Sequence, residues 1–450
     1  MAIIDILMDT LFDTKKSGGV HPPDYKMAHD AAIVRAPLPA TVTLPLSQHI
    51  GAPAKALVKR GDEVKVGQKI AEAGGYVSVP IHSTVSGKVK NIVSVVSSVT
   101  SRVGQAILIE SDGKDEWVDL HQCTDPLNLE NSEILSRIKD TGIVGMGGAT
   151  FPTHVKLLPP PDKPIDTLIV NGCECEPFIT SDYRLMLQHG DEILKGLGIM
   201  MKVIGCNTAY IAIEDNKPEA VANMHELLAR SGLPDTVSVV SLEAIYPLGA
   251  EKTLLKRILD REVPVGGLPM EVGVVIQNVS TLKAIHDALY LGKPLVERVV
   301  TISGLVSEPK NVMARFGTPA QDLIALCGGI PPGADEMIFG GPMMGISQTT
   351  LATPIQKGTN SILIKKSEIE PESNCIRCGA CVEHCPMRLV PTMYVAYVKN
   401  RMYEELADYW IENCVECGSC TYGCPAKIPL VQYIKVGKAE LMKIKKGAKK

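Results

Sequence analysis

The sequence lacks a membrane-length apolar run, an excess of charge of either sign, and a basic leader. No stretch reaches the roughly 20 consecutive apolar residues that a spanning helix needs. With 46 Lys and Arg against 50 Asp and Glu, the formal net charge is −4; a nucleic-acid partner is therefore not expected. The start, Met-Ala-Ile-Ile-Asp-Ile-Leu-Met-Asp, carries no basic region and no cleavage site, so no signal peptide is expected. The chain should be soluble, or held at a membrane by other proteins, with no transmembrane segment of its own. At 450 residues it has room for three or four domains. What it does have is cysteine: thirteen in all, which without signs of secretion points to a reducing compartment rather than a disulfide scaffold.

Eight of these cysteines fall in two runs. The first is Cys375-Ile-Arg-Cys378-Gly-Ala-Cys381-Val-Glu-His-Cys385-Pro386, and the second is Cys414-Val-Glu-Cys417-Gly-Ser-Cys420-Thr-Tyr-Gly-Cys424-Pro425. Both have the C-x2-C-x2-C-x3-C-P spacing of bacterial two-cluster ferredoxins. Three close thiolates reach three corners of one iron–sulfur cube, and the fourth reaches across to the other. One 4Fe-4S cluster is expected on Cys375, Cys378, Cys381 and Cys424, and a second on Cys414, Cys417, Cys420 and Cys385. The alternatives are zinc sites, which use C-x2-C pairs, and disulfides; neither requires two quartets closed by Cys-Pro. Two clusters in one small fold imply an electron relay.

The other readings follow the chain. Residues 1–39 read as a Gly- and Pro-rich arm containing Gly18-Gly19-Val20-His21-Pro22-Pro23, with His21 a loop histidine before it is a ligand. Residues 40–115 alternate short β-type runs (Ala40–Leu44, Ala56–Val58, Val77–Val79, Val85–Val89, Ala106–Ile109) with turns. Residues 130–292 alternate strands and helices: a helix from Ser132 to Gly142, strands Thr167–Val170, Tyr210–Ile213 and Val237–Val240, and helices Pro218–Arg230 and Ala250–Leu259. That alternation predicts a largely parallel sheet covered by helices. Residues 293–352 read as a small β-grasp-like unit with a helix over Pro319–Leu326, followed by Gly340-Gly341-Pro342-Met343-Met344-Gly345. The cluster domain covers 365–436, and 437–450 reads as a basic, solvated tail, with contact to acidic lipid the weaker reading. The fold class is thus multidomain α+β, with a C-terminal α-helical two-cluster domain.

A candidate cofactor site lies in the middle. Gly145, Gly147 and Gly148 lack side chains, so backbone N–H groups there can approach a phosphate, with Lys156 adding positive charge; ordinary turn glycines are the alternative. Asn171, Glu174 and Glu176 follow a strand directly, at the end of an α/β sheet where ligands bind. Cys173, among them, reads first as a small residue lining a pocket, and second as a redox or metal group.

The segments Val58–Ile70 and Val79–Val89 resemble a biotinyl/lipoyl hammerhead, but Gly74-Gly75-Tyr76 stands near the place of the carrier lysine turn. Docking is therefore expected of this domain rather than a swinging arm. Gly145-x-Gly-Gly-Ala-x-Phe-Pro-Thr-x-x-Lys156 resembles the flavin loop of the NADH-binding subunit of respiratory complex I. Asn171-x-x-Glu-x-Glu-Pro177, Gly249-Ala-Glu251-Lys-Thr253 and Gln277-Asn278-Val-x-Thr281 resemble three further motifs of that subunit, in the same order. Cys173, Ala250 and Gln277 stand where it has an acid, a glutamate and an asparagine. The resemblance implies non-covalent FMN held by Gly145, Gly147, Gly148, Lys156, Asn171, Glu174, Gly249, Asn278 and Thr281. It also implies that Phe151, Glu176 and Glu251 meet NADH, the two glutamates as catalytic candidates.

With Gly18–Pro23, Gln48-His-Ile-Gly-Ala-Pro-Ala54, Pro80-x-His-Ser-x-Val-Ser-Gly87 and the paired cysteine runs included, the chain resembles the RnfC family, from the Rnf complexes that act as ion-pumping NAD:ferredoxin oxidoreductases. That implies electron transfer between NADH, FMN and two 4Fe-4S clusters, coupled to ion movement by partner Rnf subunits, with ferredoxin reached indirectly. It also implies a peripheral position on the cytoplasmic face of the bacterial membrane. The cobalamin reductase of propanediol-using microcompartments shares the flavin loop and cluster runs. Two alternatives therefore stay open: a soluble reductase for a corrinoid, and a cluster-carrying scaffold without flavin.

Overall fold

The computed structural model describes residues 18–98, 103–368 and 370–447. The first seventeen residues of the expected arm and the last three of the expected tail lie outside the described residues. The chain divides into two compact units. One holds the residues up to Pro23, Glu243–Val272 and everything from Glu368 onward; the other holds Asp24–Leu242 and Gly273–Ser367.

At the centre of the second unit is a four-stranded sheet in the order Val237–Leu242, Thr208–Glu214, Thr167–Asn171, Val274–Asn278. Every pairing in it is parallel. Thr167–Asn171 is buried along its apolar length, as expected of a strand covered by helices on both faces. The covering helices include Asn131–Asp140, Gly190–Ile204, Pro218–Ala229 and Val279–Tyr290. Val279–Tyr290 starts at Asn278, whose side chain accepts from the Ser280 amide at 2.9 Å, satisfying one of the orphan donors of the first turn.

A six-stranded sheet runs Ile33–Arg35, Lys310–Arg315, Glu297–Gly304, Ser361–Lys365, Glu336–Phe339, Ile346–Gln348. Two of its strands come from outside the 293–352 span. Ile33–Arg35 adds in parallel from the arm, and Ser361–Lys365 pairs in parallel with Glu297–Gly304. Residues 41–111 form a four-stranded sheet, Thr41–Pro45, Val103–Ser111, Gly87–Val96, Glu63–Val64, and a three-stranded one, Lys55–Ala56, Lys69–Glu72, Ile81–His82. The expected strand over Val77–Val79 is absent. Its backbone bonds go elsewhere: the Val79 amide donates to His49 Nε2 at 3.2 Å, and the Val77 carbonyl accepts from the Ala52 amide at 3.0 Å.

The first unit packs a small core of its own, in which Tyr394, Leu406, Ile411 and Ile434 are fully buried. Its main helices are Glu251–Leu259, Pro391–Lys399 and Leu430–Gly447. The stretch read as a solvated tail is, as far as Gly447, the second half of that last helix, and Leu441 is buried in the core. The arm reaches this unit through Gly19, whose amide donates to the His384 carbonyl at 2.9 Å, and through a bridge between Val20 and Tyr246. Among the described residues no helix is long and apolar enough to cross a membrane.

Candidate functional site

The parallel sheet has the order third–second–first–fourth in the sequence of its strands. Its topological switch point lies between Thr167–Asn171 and Val274–Asn278, and the carboxyl side of that point is where open α/β sheets bind ligands. Asn171 and Asn278 face each other there in register. The glycine loop comes to the same place: a Cβ on Gly147 would stand 3.3 Å from Asn278 Cβ. Gly148 has φ +117, and a Cβ there would meet nothing within 4 Å. Bare backbone thus borders open space beside Asn278, which fits a cradle for an anionic group.

The loop is held from three sides. The Gly145 amide donates to the Phe151 carbonyl at 2.8 Å, and the Thr150 amide to the Gly145 carbonyl at 3.1 Å. The Met146 amide donates to Thr281 Oγ1 at 2.9 Å, and the Met146 carbonyl accepts from Arg298 Nη2 at 3.1 Å. Arg298 is buried, and burial pushes its guanidinium down to about 10. Asn278 Nδ2 donates to Asp182 at 2.6 Å, and Asn171 Oδ1 accepts from the Cys173 amide at 3.1 Å. Phe151 and Lys156 are half-buried, with Lys156 ending the short helix Thr153–Lys156.

The two glutamates after Asn171 differ. Glu174 is buried, and its carboxylate accepts from Ser181 Oγ and from the Asp182 and Tyr183 amides at 2.8–3.3 Å. It therefore caps the helix Ser181–Gln188. Burial raises its pKa, opposed by the charge of Lys26. Glu176 is half-buried and accepts from the Met343 and Met344 amides at 3.1 and 2.8 Å. Lys26 underlies both: its Nζ donates to the carbonyls of Glu174, Glu176 and Ile179 at 2.7–2.8 Å. Cys173 is half-buried and its thiol donates to the Ala212 carbonyl at 3.7 Å. Burial first, then the charge of Glu214, pushes this thiol well above its ordinary range. Gly249 and Glu251 belong to the other compact unit, where Glu251 opens the helix Glu251–Leu259. Lys26 and Arg298 carry no sequence signal, because each acts on backbone far away in the chain.

In that other unit the two cysteine runs have matching backbones. Arg377 and Glu416, Gly379 and Gly418, and Arg388 and Lys427 occupy the same positions in their runs, all at positive φ. Each run has a short helix, Ala380–Glu383 or Ser419–Tyr422, and continues into a longer one at Pro391 or Leu430. Cys385 leaves its own run to line an apolar pocket with Cys414, Cys417 and Cys420. Reciprocally, Cys424 is an electrostatic neighbour of Cys381, together with Cys375 and Cys378. Burial pushes the Cys414 thiol up to about 11 and the Cys420 thiol up to about 12, so both depend on a metal to become thiolates at neutral pH.

Among the described residues no three His, Cys, Asp or Glu side chains converge on a single-ion site. A cube distributes its four thiolates over four irons, so its ligands surround a volume, as the four around this pocket do. Backbone amides point at two of the sulfurs, Leu389 N at Cys385 Sγ and Glu416 N at Cys414 Sγ, both at 3.3 Å. The two quartets are unequally covered: Cys375 and Cys378 are exposed, while Cys385, Cys417 and Cys420 are buried.

Four family models match in succession. They are the RnfC barrel sandwich hybrid domain over residues 14–114, the Nuo51 FMN-binding domain over 138–287, the SLBB domain over 299–347, and a 4Fe-4S dicluster domain over 374–428. The chain is 47% identical, over 86% of its length and 85% of the relative's, to a subunit of the proton-translocating ferredoxin:NAD(+) oxidoreductase complex of Clostridium ljungdahlii. It is 40% identical to the matching subunit of the Na(+)-translocating complex of Acetobacterium woodii, over 86% of this chain and 88% of that one. To the matching subunit of the ion-translocating oxidoreductase complex of Rhodobacter capsulatus it is 41% identical, over 85% and 75% of the two chains. With these matches along nearly its whole length, the chain belongs to the RnfC family, a subunit family of the ion-translocating ferredoxin:NAD(+) oxidoreductase complexes.

Proposed function

We propose that this chain is the NADH-oxidising, electron-transferring subunit of a membrane-bound NAD:ferredoxin oxidoreductase. Electrons move between NADH, FMN and two 4Fe-4S clusters, and partner subunits couple the flow to ion translocation. The observation that carries this reading is Cys385 in one pocket with Cys414, Cys417 and Cys420, the arrangement that crossed ligation in a two-cluster relay would use. The subunit is peripheral, and we assign it to the cytoplasmic face of the membrane, with ferredoxin reached through partners. The barrel over residues 40–115 would be hammerhead-like and serve docking, and the 293–352 unit would be β-grasp-like.

When bound, FMN accepts a hydride and releases single electrons, the change of currency that one-electron clusters require. Gly145, Gly147 and Gly148 would admit it to bare backbone, Lys156 would meet its phosphate, and Asn171, Asn278 and Thr281 would border it at the switch point. Met146 is held at both its amide and its carbonyl, so the loop meets a cofactor already shaped for it. Glu174 would support the site from the helix it caps, while Phe151 and Glu176 would contact NADH. For Gly249 and Glu251 the assignment rests on the resemblance alone.

The test is anaerobic NADH titration of chain reconstituted with flavin and iron. Bleaching of the flavin absorbance followed by cluster reduction is expected. A flavin that stays oxidised while dithionite reduces the clusters would remove the NADH role, and no flavin after acid extraction would leave a cluster scaffold. Turnover with a corrinoid in the absence of any partner would favour a free-standing reductase.

A further inference from the structure

The segment Gly340–Gly345 joins strands Glu336–Phe339 and Ile346–Gln348, which pair antiparallel with Phe339 opposite Ile346. It is a tight hairpin end: the Gly345 amide donates to the Gly341 carbonyl at 2.9 Å. Two successive amides in it, those of Met343 and Met344, donate to the two oxygens of the Glu176 carboxylate at 3.1 and 2.8 Å. The other end of the same residue is held as well, since the Glu176 carbonyl accepts from Lys26 Nζ at 2.7 Å. One glutamate thus has its backbone fixed by the arm and its carboxylate fixed by the hairpin.

Gly341 is what allows the approach. A Cβ there would stand 2.1 Å from Glu176 Oε2 and 2.7 Å from its Cδ. The glycine is not in the left-handed region, so the contact uses its small size rather than its conformational freedom. A carboxylate accepts up to about four hydrogen bonds. Two amides, one on each oxygen, fix the plane of the carboxylate.

We propose that the Gly340–Gly345 hairpin is a positioning element for NADH binding, holding the Glu176 carboxylate toward ribose hydroxyls. This rests on the reading that Glu176 contacts NADH. The six-stranded sheet then takes part in dinucleotide recognition through Glu176, by way of backbone amides that no side-chain motif reveals.

The experiment uses the full chain reconstituted with flavin and iron, with NADH-dependent ferricyanide reduction as the assay. In Gly341→Ala the new methyl group would stand 2.1 Å from Glu176 Oε2 and 2.9 Å from its Cβ, and would displace the carboxylate from the amides. The expected result is a KM for NADH raised about tenfold with kcat within about twofold, since a binding interaction is lost that is equal in ground and transition states. Glu176→Ala should raise KM at least as much, and adding Gly341→Ala to it should do nothing further. Glu176→Asp, one methylene shorter, should recover part of the KM when combined with Gly341→Ala. A purely structural role for Gly341 would instead lower the melting temperature and act equally with or without Glu176. An unchanged KM in Gly341→Ala, or effects that add in the double variant, would overturn the positioning role alone. An unchanged KM in Glu176→Ala would overturn the NADH reading and this inference with it.

Discussion

Lys438 Nζ donates to the Cys414 carbonyl at 2.6 Å and to the Glu416 carboxylate at 2.8 Å. A helix residue thus brings a cation to the backbone of one expected cluster ligand, with an anion beside it. Positive charge near a cluster favours the reduced state. Lys438→Met should lower the midpoint potential of the cluster served by Cys414, on the order of 40 mV for about 1 kcal/mol of lost attraction. Glu416→Gln should raise it, and Lys438→Arg should leave it close to the starting value. Redox titration followed by electron paramagnetic resonance distinguishes the two clusters, and equal shifts in both would contradict the placement.

Cys385 sits in the first cysteine run yet shares a pocket with three cysteines of the second. Cys385→Ser should therefore disturb the cluster expected on Cys414, Cys417 and Cys420, and spare the one expected on Cys375, Cys378 and Cys381. Cys424→Ser should do the converse. Iron analysis should give about four irons in place of about eight where a cube is lost outright, and the surviving spectrum should differ between the two variants.

Thr281 Oγ1 is the acceptor for the Met146 amide in the glycine loop. Thr281→Val keeps the shape and removes the acceptor, leaving a buried N–H unpaired at a cost of about 1–3 kcal/mol. FMN affinity should fall roughly tenfold, the equivalent of about 1.4 kcal/mol, with little change in circular dichroism. Fluorescence titration of the apoprotein with FMN measures it, and unchanged affinity would detach this loop from the flavin.

Glu297 accepts from Arg35 at 2.6 Å, Lys293 at 2.6 Å and Arg315 at 3.1 Å in the six-stranded sheet. Burial works to raise its pKa, but the hydrogen bond from Arg35 and the charges of Lys293 and Arg315 outweigh that and hold the carboxyl down to about 2. A carboxylate whose pKa is lower folded than unfolded contributes stability above its unfolded value. That contribution is lost as pH falls from about 4.5 toward about 2, roughly 3 kcal/mol in all. Denaturation curves between pH 7 and pH 3 should show the loss. Glu297→Gln should flatten that slope and destabilise by about 3–5 kcal/mol at pH 7, because three cations lose this carboxylate, while Arg315 keeps another, Asp115.

Much of the fold was legible because its signals are local. The alternation of strands Thr167–Asn171 and Thr208–Glu214 with helix Pro218–Ala229 follows from apolar runs and helix periods read within short windows. Val77–Val79 misled because an apolar β-type run says nothing of where its bonds go, and here the His49 side chain and the Ala52 amide supply partners. The helix through Lys438 and Leu441 was concealed by its lysines: their charge reads as solvated tail, while Gly437 and Leu441 bury a narrow apolar stripe.

The sequence by itself determined the cluster chemistry, since thiol spacing along a short segment decides what a cube can bind. It also determined the family, through motifs in a fixed order. Only the tertiary structure decided that Asn171 meets Asn278 at a switch point, that Arg298 holds the Met146 carbonyl, and that the Met343 and Met344 amides hold Glu176. The reason is physical: these holds run through backbone amides and carbonyls, which every residue carries, and what selects one from another is the fold that brings it within hydrogen-bonding reach.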